Sequence, residues 1–230
     1  MALELFEAPV SPAFPTLPRI KDTLKELKLL HAVLEPWKLA ELMKALPNLE
    51  SLSYVEGLPI TDSPHDLLGS ASQIRTELLS TARHLRHLQL SLDARKQRMN
   101  KPPRPTDDQL LGSLRDMTAL EELVLGAWYV TVPDKSTSFT DDMALVDILP
   151  ASIRSVKLEV FGGEYTKSTV NFWAVMNLAA SAPERFPSLR IIEFTFAGMT
   201  REEIYTMKTA YEIRGIEFTA TSMPSKHRGT

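Results

Sequence analysis

The side chains best suited to chemistry in this chain are its five histidines, and their spacing disperses them. His84 and His87 flank Leu85, three residues apart. In a strand that spacing sends the two rings to opposite faces, which defeats a shared metal site. His31, His65 and His227 have no acid or nucleophile at a telling distance along the chain. No G-x-S-x-G, H-E-x-x-H or glycine-rich phosphate loop occurs, and Gly162-Gly163 reads as a turn. With no cysteine, thiolate catalysis, disulfides and cysteine-ligated zinc are excluded. These residues predict a chain that is not an enzyme and needs no cofactor or metal.

The chemistry that remains is recognition. Arg83, Arg86, Arg95, Lys96, Arg98, Lys101 and Arg104 place seven basic residues in 22 positions against one acid, Asp93. Five of them, Arg95, Lys96, Arg98, Lys101 and Arg104, fall in the stretch 93–105, which Pro102, Pro103 and Pro105 close. Such an arm can grip an acidic ligand or a phosphate backbone, or stand as a solvated insertion. It contains no aromatic residue to stack on bases, so nucleic acid is the weaker partner. The formal net charge of −3 agrees, since it makes the whole molecule no polyanion binder. Trp128 and Tyr129 are the other candidates: exposed they are natural interface anchors, and packed under the loop that follows they only fill space.

These residues must be positioned by repeated elements. The segment Leu120-Glu121-Glu122-Leu123-Val124-Leu125 is apolar at its first, fourth and sixth positions. The same spacing returns at Leu24/Leu27/Leu29, Leu49/Leu52/Tyr54, Leu85/Leu88/Leu90, Ile153/Val156/Leu158, Leu189/Ile192/Phe194 and Ile213/Ile216/Phe218. First positions lie 25, 36, 35, 33, 36 and 24 residues apart, a mean of 31.5. A period of this size marks a repeat architecture. Leu3-Glu4-Leu5 reads as part of one further copy, 24 residues before Leu27.

Helix-like segments follow the copies. Pro36 opens one whose Leu39, Leu42, Met43 and Leu46 share a face. Ser63-Pro64 is a cap pair ahead of a stripe from Leu67 through Ala71 and Ile74 to Leu78. Thr106-x-x-Gln109 and Thr200-x-x-Glu203 are capping boxes, and Thr140-Asp141-Asp142 is a cap with acids where the helix dipole favours them. The segment from Lys167 to Ala182 is apolar on more than one side, which predicts either the most deeply packed helix or one covered by something. Prolines at 47, 150 and 187 stop helices before the next strand. Strand then helix, repeated with one apolar side each, predicts a stacked solenoid with parallel strands on a concave surface and helices outside.

The expected organisation is a proline-rich segment 1–17, a repeat domain 18–220 of about seven irregular repeats, and a polar tail 221–230. The N-terminus is acidic where a signal peptide is basic, and no N-x-[ST] acceptor occurs. The longest uncharged run, Ser168 to Pro183, is too short and polar to span a membrane. A cytoplasmic or nuclear protein with no membrane partner is expected.

Strand side chains alternate, so the positions between the leucines should line the concave face. They supply Lys28, Ser53, Gln89, Val124, Lys157, Glu193 and Glu217 in one row. The other row holds Glu26, Ser51, His87, Glu122, Ser155, Ile191 and Gly215. A protein partner on this face is expected to touch Lys28, Ser53, His87, Gln89, Glu122, Val124, Lys157 and Glu193, with Trp128 and Tyr129 at the rim. The alternatives are a ligand held by the basic stretch 93–105, or a solvated face in a structural C-terminal fragment of a longer protein.

The L-x-x-L-x-L spacing resembles the strand signature of leucine-rich repeats, over residues 18 to 220. Leu46-Pro47-Asn48-Leu49-Glu50-Ser51-Leu52 and Ala119-Leu120-Glu121-Glu122-Leu123-Val124-Leu125 resemble the irregular repeats of F-box-type proteins, particularly fungal ones. That resemblance implies an α/β horseshoe-like arc that binds a protein substrate for a ubiquitin ligase. It implies a ligase adaptor as partner only where an F-box segment precedes the repeats. The ninth position, where the family has Asn or Cys, holds Ala32, Gly57, Asp93, Trp128, Phe161, Ala197 and Thr221, which predicts an irregular arc.

Overall fold

The computed structural model describes residues 2–6, 21–32, 34–57, 70–92, 110–126, 143–159, 172–196 and 199–222. Eight strands form one sheet: β1 (Ala2–Phe6), β2 (Glu26–Ala32), β3 (Ser51–Glu56), β4 (His87–Ser91), β5 (Glu122–Gly126), β6 (Ser155–Glu159), β7 (Ile191–Phe196) and β8 (Glu217–Ser222). Their order in the sheet is their order in the chain, and every neighbouring pair is parallel. The helices are α1 (Pro36–Ala45), α2 (Ala71–Thr81), α3 (Ala144–Ile148), α4 (Phe172–Arg185) and α5 (Arg201–Glu212).

The repeated apolar spacing sets this register. Leu27, Leu52, Leu88, Leu123, Val156 and Ile192 stand opposite one another across the sheet, and so do Leu29, Tyr54, Leu90, Leu125, Leu158 and Phe194. All are buried, together with the first-position residues Leu24, Leu49, Leu85, Leu120, Ile153 and Leu189. They form one continuous core with the inner stripes of the helices. Leu3 lies opposite Leu27 and Leu5 opposite Leu29, so the short N-terminal motif is an eighth strand.

Strands β3 to β7 are entered the same way. The amides of Leu49, Leu85, Leu120, Ile153 and Leu189 donate to the carbonyl three residues back, at 2.9–3.2 Å. One residue on, the carbonyls of Lys25, Glu50, Arg86, Glu121 and Arg154 each accept two amides from the following repeat, at 2.7–3.1 Å. Buried backbone groups at the repeat junction are thereby paired, which lets strand entries stack inside a packed core.

The helix starts differ in detail from the sequence reading. Pro36 does open α1, and Leu39, Leu42, Met43 and Leu46 are buried. The cap of α2 is Ser70, whose hydroxyl accepts the Gln73 amide while the Gln73 side chain accepts the Ser70 amide. Ser63-Pro64, seven residues earlier, lies outside the described residues. Thr106-x-x-Gln109 lies outside them too, but residues 110–120 form no helix. Leu111, Leu114 and Met117 fill that layer from turns instead, with the Leu114 amide tied to the Ile148 carbonyl at 2.8 Å. The Thr200–Glu203 box caps α5 as expected. Helix α4 buries Ala174, Val175, Leu178, Ala179 and Ala182, yet Trp173 is 57% exposed, so its second apolar side faces outward.

The last repeat is displaced. Phe218 stands opposite Ile192 and Ala220 opposite Phe194, two residues away from the register that Ile213/Ile216/Phe218 predicts. Ile213 is 78% exposed. It belongs to the end of α5, where Gly215 adopts a left-handed φ of 69° and its amide reaches the Glu212 carbonyl. The Ile216 amide reaches back to the Tyr211 carbonyl at 3.1 Å. This pair of bonds is a Schellman motif, and the strand starts only after it.

Candidate recognition surface

The helices pack on one side of the sheet, so the intervening strand positions stay at least partly open to solvent on the other, except Ser53, which is buried at 7%. Two rows run across that open face. One passes from Glu26 through Ser51, His87, Glu122, Ser155 and Ile191 to Glu217. The other passes from Glu4 through Lys28, Ser53, Gln89, Val124, Lys157 and Glu193 to Thr219. The displaced last repeat therefore moves Glu217 into the first row, in place of Gly215. Strand register, rather than a folded loop, brings Lys28, Ser53, His87, Gln89, Glu122, Val124, Lys157 and Glu193 onto one surface.

Neighbours within the rows interact. The Ser53 hydroxyl donates to Gln89 Oε1 at 2.8 Å. Lys28 Nζ lies 3.1 Å from Glu26 Oε1, and His87 Nε2 lies 3.4 Å from Glu122 Oε1. Lys157 Nζ sits 3.0 Å from Glu159 and 3.9 Å from Glu193. The hydrogen bond to Glu159 is the main cause that raises the Lys157 ammonium above the ordinary lysine value; burial opposes it, and the fields of Glu159 and Glu193 add to it. The apolar members of the face, Leu30, Val55, Val124 and Ile191, are half-buried.

A second feature escaped the sequence reading. The residues just before the strands, Lys25, Glu50, Arg86, Glu121, Arg154 and Arg190, form a charged rim whose signs alternate over its first five members. Lys25 Nζ contacts Glu50 Oε1 at 2.5 Å. Arg86 Nη2 donates to both oxygens of Glu121, at 2.9 and 3.0 Å, while Arg154 approaches Glu121 at 3.7 Å. Arg86 thus holds the Glu121 carboxyl below the usual carboxylate range, and Lys25 does the same for Glu50. A shallow groove of about 520 Å³ follows this rim, lined in part by Lys25, Asn48, His84, Arg86, Glu121 and Arg154. The alternation was visible at the second position of each repeat, where it is masked by the stronger leucine signal.

His84 sits in the turn before β4 and lines that groove, whereas His87 is on the open face. Among the described residues no three metal-ligating side chains converge, and no helix is long and apolar enough to cross a membrane. Trp128 and Tyr129 lie outside the described residues, as does the basic stretch Arg95, Lys96, Arg98, Lys101 and Arg104. The large exposed aromatics that are described, Trp37, Trp173 and Tyr205, are on helices rather than on the sheet. No protein-family model matches this chain. Comparison with curated proteins finds no similar sequence.

Proposed function

We propose that this chain is a leucine-rich-repeat-type solenoid serving as a non-catalytic protein-recognition module, with its partner seated on the helix-free face of the sheet. The observation that carries the reading is that face. Eight parallel strands align two rows of mostly polar and charged side chains, interrupted by Val124 and Ile191, and no described helix covers them. Repeat proteins use such extended inner surfaces for binding. The partner touches Lys28, His87, Gln89, Glu122, Val124, Lys157 and Glu193, with buried Ser53 holding the Gln89 side chain. The resemblance to F-box-type repeats supports a narrower version, in which the face selects substrates for a ubiquitin ligase in the cytoplasm or nucleus. A photo-crosslinking residue at Val124, near the middle of the face, tests the general reading against the same residue at Lys44 on the outside of α1. Crosslinks to a protein from Val124 alone support recognition by the face. Crosslinks from both sites equally, or from Lys44 alone, reject it.

A further inference from the structure

The open face is much more acidic than its surroundings. Among the described residues it carries Glu4, Glu26, Glu122, Glu159, Glu193 and Glu217 against Lys28 and Lys157. That is a surplus of four negative charges, compared with −3 for the entire chain. The surplus collects at one end, where, among the described residues, Glu122, Glu159, Glu193 and Glu217 on β5–β8 share the face with one lysine, Lys157, and His87 of β4 stands beside Glu122. Lys157 is occupied by Glu159 and approached by Glu193. Glu122 and Glu193 keep half or more of their side-chain surface in water, at 57% and 50%.

Half-buried Val124 and Ile191 lie among these carboxylates. Val124 is opposite Lys157 and two residues from Glu122, and Ile191 is opposite Glu217 and two residues from Glu193. A lysine or arginine side chain matches such a surface, because its methylene stem covers apolar area while its charged head reaches outward. Complementary potential steers the encounter and fixes the partner's placement. A phosphate backbone is repelled by the same field.

We propose that the β5–β8 end of the open face docks a lysine- or arginine-bearing extended segment of a partner protein, with Glu122, Glu193 and Glu217 receiving its cationic heads. The proposal rests on the reading of this face as a recognition surface and adds the chemistry of what it recognises.

The test is fluorescence anisotropy of the full chain with a labelled alternating Lys-Ala peptide of about ten residues, long enough to cross the strands. Its Glu-Ala counterpart is measured beside it, in about 50 mM and about 150 mM salt, which differ in screening length. The basic peptide should bind, more weakly at the higher salt. Its affinity should fall about tenfold in the triple variant Glu122→Gln, Glu193→Gln, Glu217→Gln, the sum expected of three exposed charge contacts. A control triple on the helices, Glu41→Gln, Glu184→Gln, Glu202→Gln, makes the same change in net charge and should stay within about twofold, since those carboxylates lie off the open face and act only through the screened long-range field. If the face triple does not fold, Glu193→Lys alone carries the test, with a loss in the same direction. Absence of basic-peptide binding, tighter binding of the acidic peptide, or equal losses in the two triples overturns the proposal. If that happens while Val124 still crosslinks to a protein, the recognition reading stands and only the partner's chemistry is wrong. If Val124 crosslinks are lost as well, both fall.

Discussion

At the scale of single residues, the fold depends on close contacts that a methyl group more or less disturbs. Leu123 is buried at the centre of the sheet, and Leu123→Ala should cost roughly 2–5 kcal/mol in a denaturant melt. Gly57 is held to Ala32 by its amide at 2.9 Å, beside His31, whose φ of 53° places it in the left-handed region at a register shift in β2. A Cβ on Gly57 would collide with the His31 carbonyl oxygen. Gly57→Ala should therefore lose about 1–3 kcal/mol by overpacking. Tyr211 is fully buried, stacks on Phe218, and donates its hydroxyl proton to the Val175 carbonyl at 2.7 Å. Burial pushes its phenol far above the ordinary tyrosine value, with Arg214 pulling weakly the other way. The unfolded chain releases this proton near pH 10, whereas the folded chain keeps it. Its contribution is thus complete below about pH 10 and declines above it, by up to about 1.4 kcal/mol per pH unit. Melts of Tyr211→Phe should lack that alkaline slope, and at neutral pH should show a loss of about 1–3 kcal/mol from the orphaned carbonyl.

At the scale of elements, caps decide where helices begin. In α5 the Thr200 amide and hydroxyl both donate to Glu203 and hold its carboxyl below the usual range. A lowered value means that this stabilisation is present at neutral pH and fades as acid protonates Glu203, below about pH 4.3. Thr200→Ala should lower stability by about 1 kcal/mol at pH 7, and by less at pH 3. This cap was legible because its hydroxyl and carboxylate stand at a fixed spacing. The core strands were legible for a similar reason: two leucine-type positions per strand and one before it leave few competing registers. The last repeat was not. Ile213, Ile216 and Phe218 copy the spacing, but the left-handed turn at Gly215 ends the helix after Ile213, and a pattern of apolar letters carries no φ angle. The layer between β4 and β5 is illegible for another reason, since Leu111, Leu114 and Met117 fill the core from turns that have no helical period. On the open face, alternation alone identifies the row members, while the charged rim beside them leaves no periodic signal because its signs change from one repeat to the next.

At the scale of the molecule, each strand pairs only with its neighbours in sequence. Stability should then be greatest where a strand has repeats on both sides, and amide exchange should be slowest in β4–β6 and fastest in β1 and β8. Uniform protection across all eight strands would show a fold more cooperative than stacked repeats require. The parallel register has one more result. Glu26, Glu122 and Glu217 occupy the same row on β2, β5 and β8, so a carboxylate recurs at every third strand. With strands about 4.8 Å apart, those marks fall about 14 Å from one another. An extended chain crossing them advances about 3.3 Å per residue, so four or five of its residues span each interval. A partner with cations at that interval meets all three marks at once, while an unbroken run of cations meets them in many equivalent offsets. The sheet would thus measure the distance between charges as well as their sign.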